Sequence, residues 1–227
     1  MRGLKNIDET SQLYAIDAIR MHYEICHNQW ENINRLKLTI ENQIFDKQGK
    51  PTKKPKRKET LRIIGSSWQF IDSAYRIGKL ANYIKGLSHR EPQYIKFENE
   101  IRLVKEFRNI YQHLDKHIKE IQDGDNPIMG LFSWVCRNRT TSVTLSLGML
   151  AGHASVHGLI VDRLERKYVK EMQFSAGKQD LFLQETKLSL DEFMEYFDKW
   201  LNENDNLSDQ IIEPSTMVFD IGALINS

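Results

Sequence analysis

No stretch of this 227-residue chain approaches the roughly 18 consecutive apolar residues that cross a bilayer, so no membrane association is expected. The opening segment MRGLKNIDETSQ lacks the apolar run of a secretory signal, which points to a cytoplasmic location. Cysteine is scarce. Cys26 and Cys136 stand far apart within apolar patterns and read as reduced core residues, not as a disulfide framework. A phosphate-cradling glycine loop is missing, because Gly3, Gly49, Gly65 and Gly86 lack the required spacing, and no serine nucleophile elbow occurs. These absences argue against nucleotide hydrolases and acyl-transfer enzymes. There is no HExxH pattern either. His113 and His117, and again His153 and His157, have the i, i+4 spacing of two ligands on one helix face. Without a neighbouring Cys pair they read as a core-edge residue and a loop or strand pair, so neither a metal nor a cofactor is expected.

What is present is enough for a folded core: 40% of residues are hydrophobic and 10% aromatic. Charge is unevenly spread. Residues 1–126 hold 23 Lys+Arg against 17 Asp+Glu, a balance of +6, and residues 127–227 hold 9 against 14, a balance of −5. Such asymmetry fits an anionic partner on the first part, or two parts that complement one another.

The periodicity predicts a mainly α protein, an antiparallel bundle of long helices with a β-rich insertion and a C-terminal helix. In the first 45 residues, Ile16, Ile19, Tyr23, Cys26, Trp30, Ile33, Ile40 and Ile44 recur in steps of three and four, with Lys37 interrupting. Asp8 or Thr10 is the expected cap. DKQGKPTKKPKRK, residues 46–58, carries seven basic residues, two prolines and no apolar side chain, and reads as a solvated connection. A second helix is expected from about Glu59 to Leu87, apolar on two faces: Leu61, Ile64, Trp68, Ile71 and Tyr75 on one, Ile63, Phe70, Ile77, Ile84 and Leu87 on the other. Such a helix belongs between neighbours. A third starts near Pro92 and is expected to reach Gln122, with Leu103, Phe107, Ile110, Leu114, Ile118 and Ile121 inward. This bundle occupies residues 1–126.

Residues 127–188 change texture. Alternating Val, Thr and Leu predict a hairpin turning near Arg137–Thr141, with further strands near 155–163 and 179–185. From Ser189 a helix follows to residue 204, with Ser189 as cap and Glu192 completing a capping box. Residues 205–227 read as a tail.

The candidate chemistry lies in EFRNIYQHLDKHI, residues 106–118, where Arg108, Asn109 and His113 put a fixed cation, an amide and an imidazole within little more than one turn. RNIYQH resembles the signature of the HEPN superfamily, helical-bundle proteins that include metal-independent ribonucleases. The resemblance spans six residues and leaves the β-rich segment unexplained. It implies an RNA endonuclease, in a toxin or defence setting, with a site formed where two copies of the motif meet in a homodimer. In that scheme Arg108 clamps phosphate, His113 moves protons near neutral pH and Asn109 orients it. Lys53, Lys54, Lys56, Arg57 and Lys58 would attract the RNA backbone without reading sequence. On an ideal helix five residues turn through about 500°, so Arg108 and His113 point roughly 140° apart, and a single copy would not join them. The competing reading is a non-catalytic helical scaffold that binds a protein partner, in which Arg108 is a surface residue or pairs with a carboxylate. Asp72, polar in apolar company on the second helix, fits either an orienting group or a plain hydrogen-bonded one.

Overall fold

The computed structural model describes residues 9–46, 52–113, 129–137, 142–148, 172–177 and 179–204. Most of them are helical. Four helices, α1 (Glu9–Ile44), α2 (Arg57–Ala81), α3 (Pro92–Gln112) and α4 (Leu183–Glu203), accompany strands β1 (Leu131–Arg137), β2 (Ser142–Gly148), β3 (Met172–Ala176) and β4 (Gln179–Phe182).

The apolar seam of α1 is buried as its spacing predicts: Ile16, Ile19, Cys26, Ile33, Ile40 and Ile44 are inside, with Tyr23 and Trp30 packed beside them. Thr10 lies within the helix, so it is not the cap, and Asp8 falls outside the described residues. Cross-helix bonds fix the direction of each neighbour. Gln43 donates to Glu59 (2.8 Å), Asn32 to Ser66 (2.6 Å), and the Cys26 thiol to the Phe70 carbonyl (3.5 Å), so α1 and α2 run antiparallel. Lys96 pairs with Glu192 (2.6 Å) and Thr186 donates to Glu100 (2.6 Å), which sets α3 antiparallel to α4. Tyr23 donates to Asp191 (2.9 Å) and Arg20 approaches Asp198 (3.8 Å), closing α4 against α1. The helices thus run up, down, up and down.

α2 is buried on two faces, through Ile64, Trp68 and Ile71 and through Ile63, Phe70 and Ile77. Gly78 permits the close approach of α3, because a Cβ there would lie 2.6 Å from the Ile101 side chain. The helix ends at Ala81, and Ile84 and Leu87 are buried in the connection that follows. Two residues depart from the expected seams. Leu61 is 41% exposed, two turns N-terminal to Trp68, where α3 reaches α2 through Tyr111. Leu103 is 50% exposed, because the inward face of α3 runs through Phe97, Ile101, Val104 and Phe107, one position round from the expected stripe.

The strands form one antiparallel sheet in the order β2-β1-β3-β4. The β1–β2 hairpin matches the expected turn, pairing Arg137 with Ser142 and Leu131 with Gly148. β3 was not anticipated, and the region 155–163 lies outside the described residues. The sheet docks on the bundle through polar atoms as well as core. Glu41 on α1 accepts from the Trp134 indole (2.7 Å) and the Cys136 thiol (3.2 Å), and the Trp68 indole donates to the Met129 carbonyl (2.9 Å). Gly130, at φ 103°, lies flat against the Phe174 ring, which any side chain there would strike.

Other element boundaries also differ from the sequence reading. α2 begins at Arg57, so Arg57 and Lys58 belong to its first turn and not to the connecting loop. α3 ends at Gln112 with His113 as C-cap; Leu114, Ile118 and Ile121 lie outside the described residues, as do the tail 205–227 and His117, His153 and His157. α4 begins at Leu183, six residues before the expected cap. Ser189 is buried within it, its hydroxyl without a partner among the described residues, and Glu192 faces Lys96 instead of closing a capping box. The early start is tertiary in origin: Leu183 is fully buried and Thr186 bonds Glu100, so the first turn is held from outside the helix.

Candidate functional site

Three helices meet around Asp72. Its Oδ1 accepts from Arg108 Nε on α3 at 2.7 Å, and its Oδ2 accepts from Arg76 Nε, one turn along α2, at 2.7 Å. Arg108 also donates to Gln112 (2.7 Å) and lies over the Tyr75 ring, 4.4 Å from its centroid. Its side chain is only 17% exposed. Ordering by a carboxylate, an amide and an aromatic face leaves a guanidinium with little freedom to lose on binding. Two cations share one carboxylate, so the cluster carries surplus positive charge. Burial alone would raise the Asp72 pKa, but the hydrogen bonds and charges of Arg76 and Arg108 outweigh it and hold the carboxyl below its ordinary value.

His22 of α1 completes the surroundings and escaped the sequence reading. Burial lowers its pKa, the Arg76 charge lowers it further, and Asp72 opposes them. Its Nδ1 is buried without a hydrogen-bond partner among the described residues. No local pattern marks it, since a lone His on a helix face is ordinary. Asp72 and Arg76 sit at i, i+4 on α2, but Arg76 likewise went unremarked in the sequence.

Beside the cluster a cleft of about 610 Å³ opens between α2 and α3, with Ile25 of α1 on its wall. Trp68, Asp72, Arg108, Tyr111 and Gln112 line it. Tyr111, 46% exposed, stacks on Trp68 at 4.5 Å with 23° between the planes. Trp68 is itself fixed, by its indole bond to Met129 and an edge contact with Phe174 at 5.0 Å.

Compared with known proteins, the chain matches no family model, no curated protein and no solved structure. Side-chain geometry therefore carries the functional argument.

Of the three motif residues, only Arg108 enters the cleft. Asn109 and His113 are exposed. His113 has left helical geometry (φ −109°, ψ 31°), and its backbone N–H closes the helix on the Asn109 carbonyl at 3.1 Å. Among the described residues no hydrogen bond or ion pair joins Arg108 to His113. Lys53, Lys54, Lys56, Arg57 and Lys58 are all exposed at the start of α2. From Arg57 to Asp72 the helix rises about 22 Å, so these cations stand apart from Arg108. No helix among the described residues is long and apolar enough to cross a membrane.

Proposed function

We propose that the chain is a HEPN-like, metal-independent RNA endonuclease acting as a homodimer. The observation that carries the reading is Arg108: a nearly buried guanidinium, pre-oriented at the wall of a cleft in which cations outnumber the carboxylate that holds them. In this scheme Arg108 of one copy grips a phosphate oxygen. His113 of the other copy, exposed at its helix end, takes the ribose 2′-hydroxyl proton so that the 2′-oxygen attacks phosphorus. That imidazolium, reaching across a two-fold contact between the 108–113 segments, then protonates the departing 5′-oxygen. Asn109 orients the imidazole or donates to phosphate. The cations at residues 53–58 supply salt-sensitive attraction to the backbone.

The test is cleavage of a labelled RNA with chelator present. His113→Ala is expected to abolish cleavage while leaving stability within about 0.5 kcal/mol, as for other exposed positions. Arg108→Ala is also expected to be inactive, but at a cost of about 1–3 kcal/mol, because it strands part of the Asp72 cluster. Growth arrest on expression, relieved by His113→Ala, would support a toxin role. Unchanged cleavage in His113→Ala would end the proposal. The Arg108–Asp72 ion pair also favours a second reading, a non-catalytic scaffold in which that contact merely fastens α3 to α2. In that case the wild-type protein cleaves no RNA and Arg108→Ala changes stability alone.

A further inference from the structure

The cleft at Arg108 does not end at α3. A second cleft, about 690 Å³, runs between α1 and the first half of α2, and Gly65 and Gln69 line both. Gly65 is the junction. A Cβ at that position would meet nothing within 4 Å, so the absence of a side chain leaves the passage open on the α2 surface. Glu59 lines one end and Asp72 the other, which spans about 20 Å of helix rise.

The two chambers differ in chemistry. The first is polar, with the carboxamides of Gln29, Asn32 and Gln69 and the cations Arg35 and Arg62. Its one carboxylate is occupied: Glu59 accepts from Gln43 at 2.8 Å and from the Lys56 backbone N–H at 3.3 Å. Arg62 is exposed and has no acidic partner among the described residues. The second chamber offers Arg108 and the exposed Tyr111 ring, braced from behind by Trp68. Each chamber is within the size range, about 300–1,000 Å³, of clefts that hold a drug-sized ligand. A track of arginines for phosphates, carboxamides for base edges and 2′-hydroxyls, and one supported aromatic face is the chemistry of single-stranded RNA recognition. Duplex RNA presents its bases only at groove edges and has no free face to lay on Tyr111.

We infer that single-stranded RNA lies along α2 in this continuous two-chambered groove, passing over Gly65, with a base stacked on Tyr111 and phosphates drawn to Arg62 and Arg108. The inference deepens the RNA reading above by naming the substrate's form and path, and it is tested by binding alone. The full chain is titrated against a short fluorescein-labelled single-stranded oligoribonucleotide, and against the same sequence as a duplex, by fluorescence anisotropy. Single strand is expected to bind at least about tenfold tighter than duplex, with affinity falling as salt rises. Along the series Gly65→Ala, Gly65→Leu and Gly65→Phe, affinity is expected to fall progressively, reaching roughly tenfold for Phe. Tyr111→Ala is expected to lose about five- to a hundred-fold, the range for removing one stacking partner. Arg62→Ala, at an exposed position that leaves folding intact, is expected to weaken binding and lessen its salt dependence. Single-strand binding that follows this pattern in a protein without cleavage would sustain the groove and sink only the nuclease. Cleavage with unchanged affinity in Gly65→Phe, Tyr111→Ala and Arg62→Ala would sustain the nuclease and sink the groove, as would equal affinity for duplex.

Discussion

Two ion clusters in this bundle are built to one plan and end differently. On α4, Lys187 and Asp191 pair at i, i+4 (2.5 Å), the Tyr23 hydroxyl of α1 donates to the same carboxylate, and the ammonium lies 5.9 Å from the Tyr23 ring centre. On α2, Arg76 and Asp72 pair at i, i+4, Arg108 of α3 reaches the same carboxylate, and its guanidinium covers Tyr75. In the first cluster one cation meets one anion and a neutral phenol completes the set, so charge balances. In the second, two cations meet one anion and a cleft opens alongside. An ion cluster that joins helices is thus a fastening until it carries excess charge next to space. That combination separates a candidate site from a structural joint.

The comparison breaks most visibly if each carboxylate is removed. Asp191→Ala strands Lys187, whose side chain is only 10% exposed, and is expected to cost about 3 kcal/mol in urea unfolding. Asp72→Ala is expected to cost less, about 1–2 kcal/mol, because Asp72 is 38% exposed, water screens the half-exposed Arg76, and Arg108 keeps its bond to Gln112. Equal losses would erase the distinction between joint and site.

Next in size come two glycines of α2. Gly78→Ala forces a Cβ against Ile101 and is expected to destabilise by about 1–3 kcal/mol. Gly65→Ala meets no neighbour and is expected to stabilise by up to about 1 kcal/mol, through helix propensity alone. Opposite signs in thermal melts would confirm that Gly78 exists for packing and Gly65 does not.

The smallest expected effects are in pH. The folded pKa of Asp72 lies below its unfolded value near 3.9, so its stabilisation is complete above that value and is lost as acid protonates the folded carboxylate. His22 is also depressed, below about 6.5. The unfolded chain therefore takes up its proton first, and stability declines as pH falls through and below that value. Urea midpoints measured from neutral pH downward should fall in two stages. His22→Leu should remove the upper stage and Asp72→Asn the lower.

Local pattern and distant contact divided the work of specifying this molecule. The α1 seam was legible from Ile16 to Ile44 because one regular apolar stripe runs along a single long helix. The hairpin was legible from alternation. Leu61 and Leu103 were misread because periodicity gives a stripe but not where the neighbouring helix covers it. Ser189 and Glu192 make a sound capping box in isolation, and contacts from Leu183 and Thr186 overrode it. At the candidate site Arg108 was identified, and Asp72 was weighed as an orienting or a plain hydrogen-bonded carboxylate, without being assigned to Arg108. The two lie 36 residues apart, and nothing local distinguishes that pair from any other. His22 and Tyr111 drew no attention, since their roles exist only where three helices converge.

One junction carries a consequence of its own. β4 passes into α4 with no intervening residue, Phe182 closing the strand and Leu183 opening the helix. Inserting or deleting one residue here would find no slack, and would rotate every α4 side chain by about 100°. Phe197, fully buried and 6.0 Å from the Phe193 ring, would swing out of the interior, and Leu188, now at the surface, would turn toward it. Variation in length should therefore be forbidden at 182–183, while change of residue type is allowed. That splice acts as a phase lock between a sheet counted in twos and a helix counted in 3.6s.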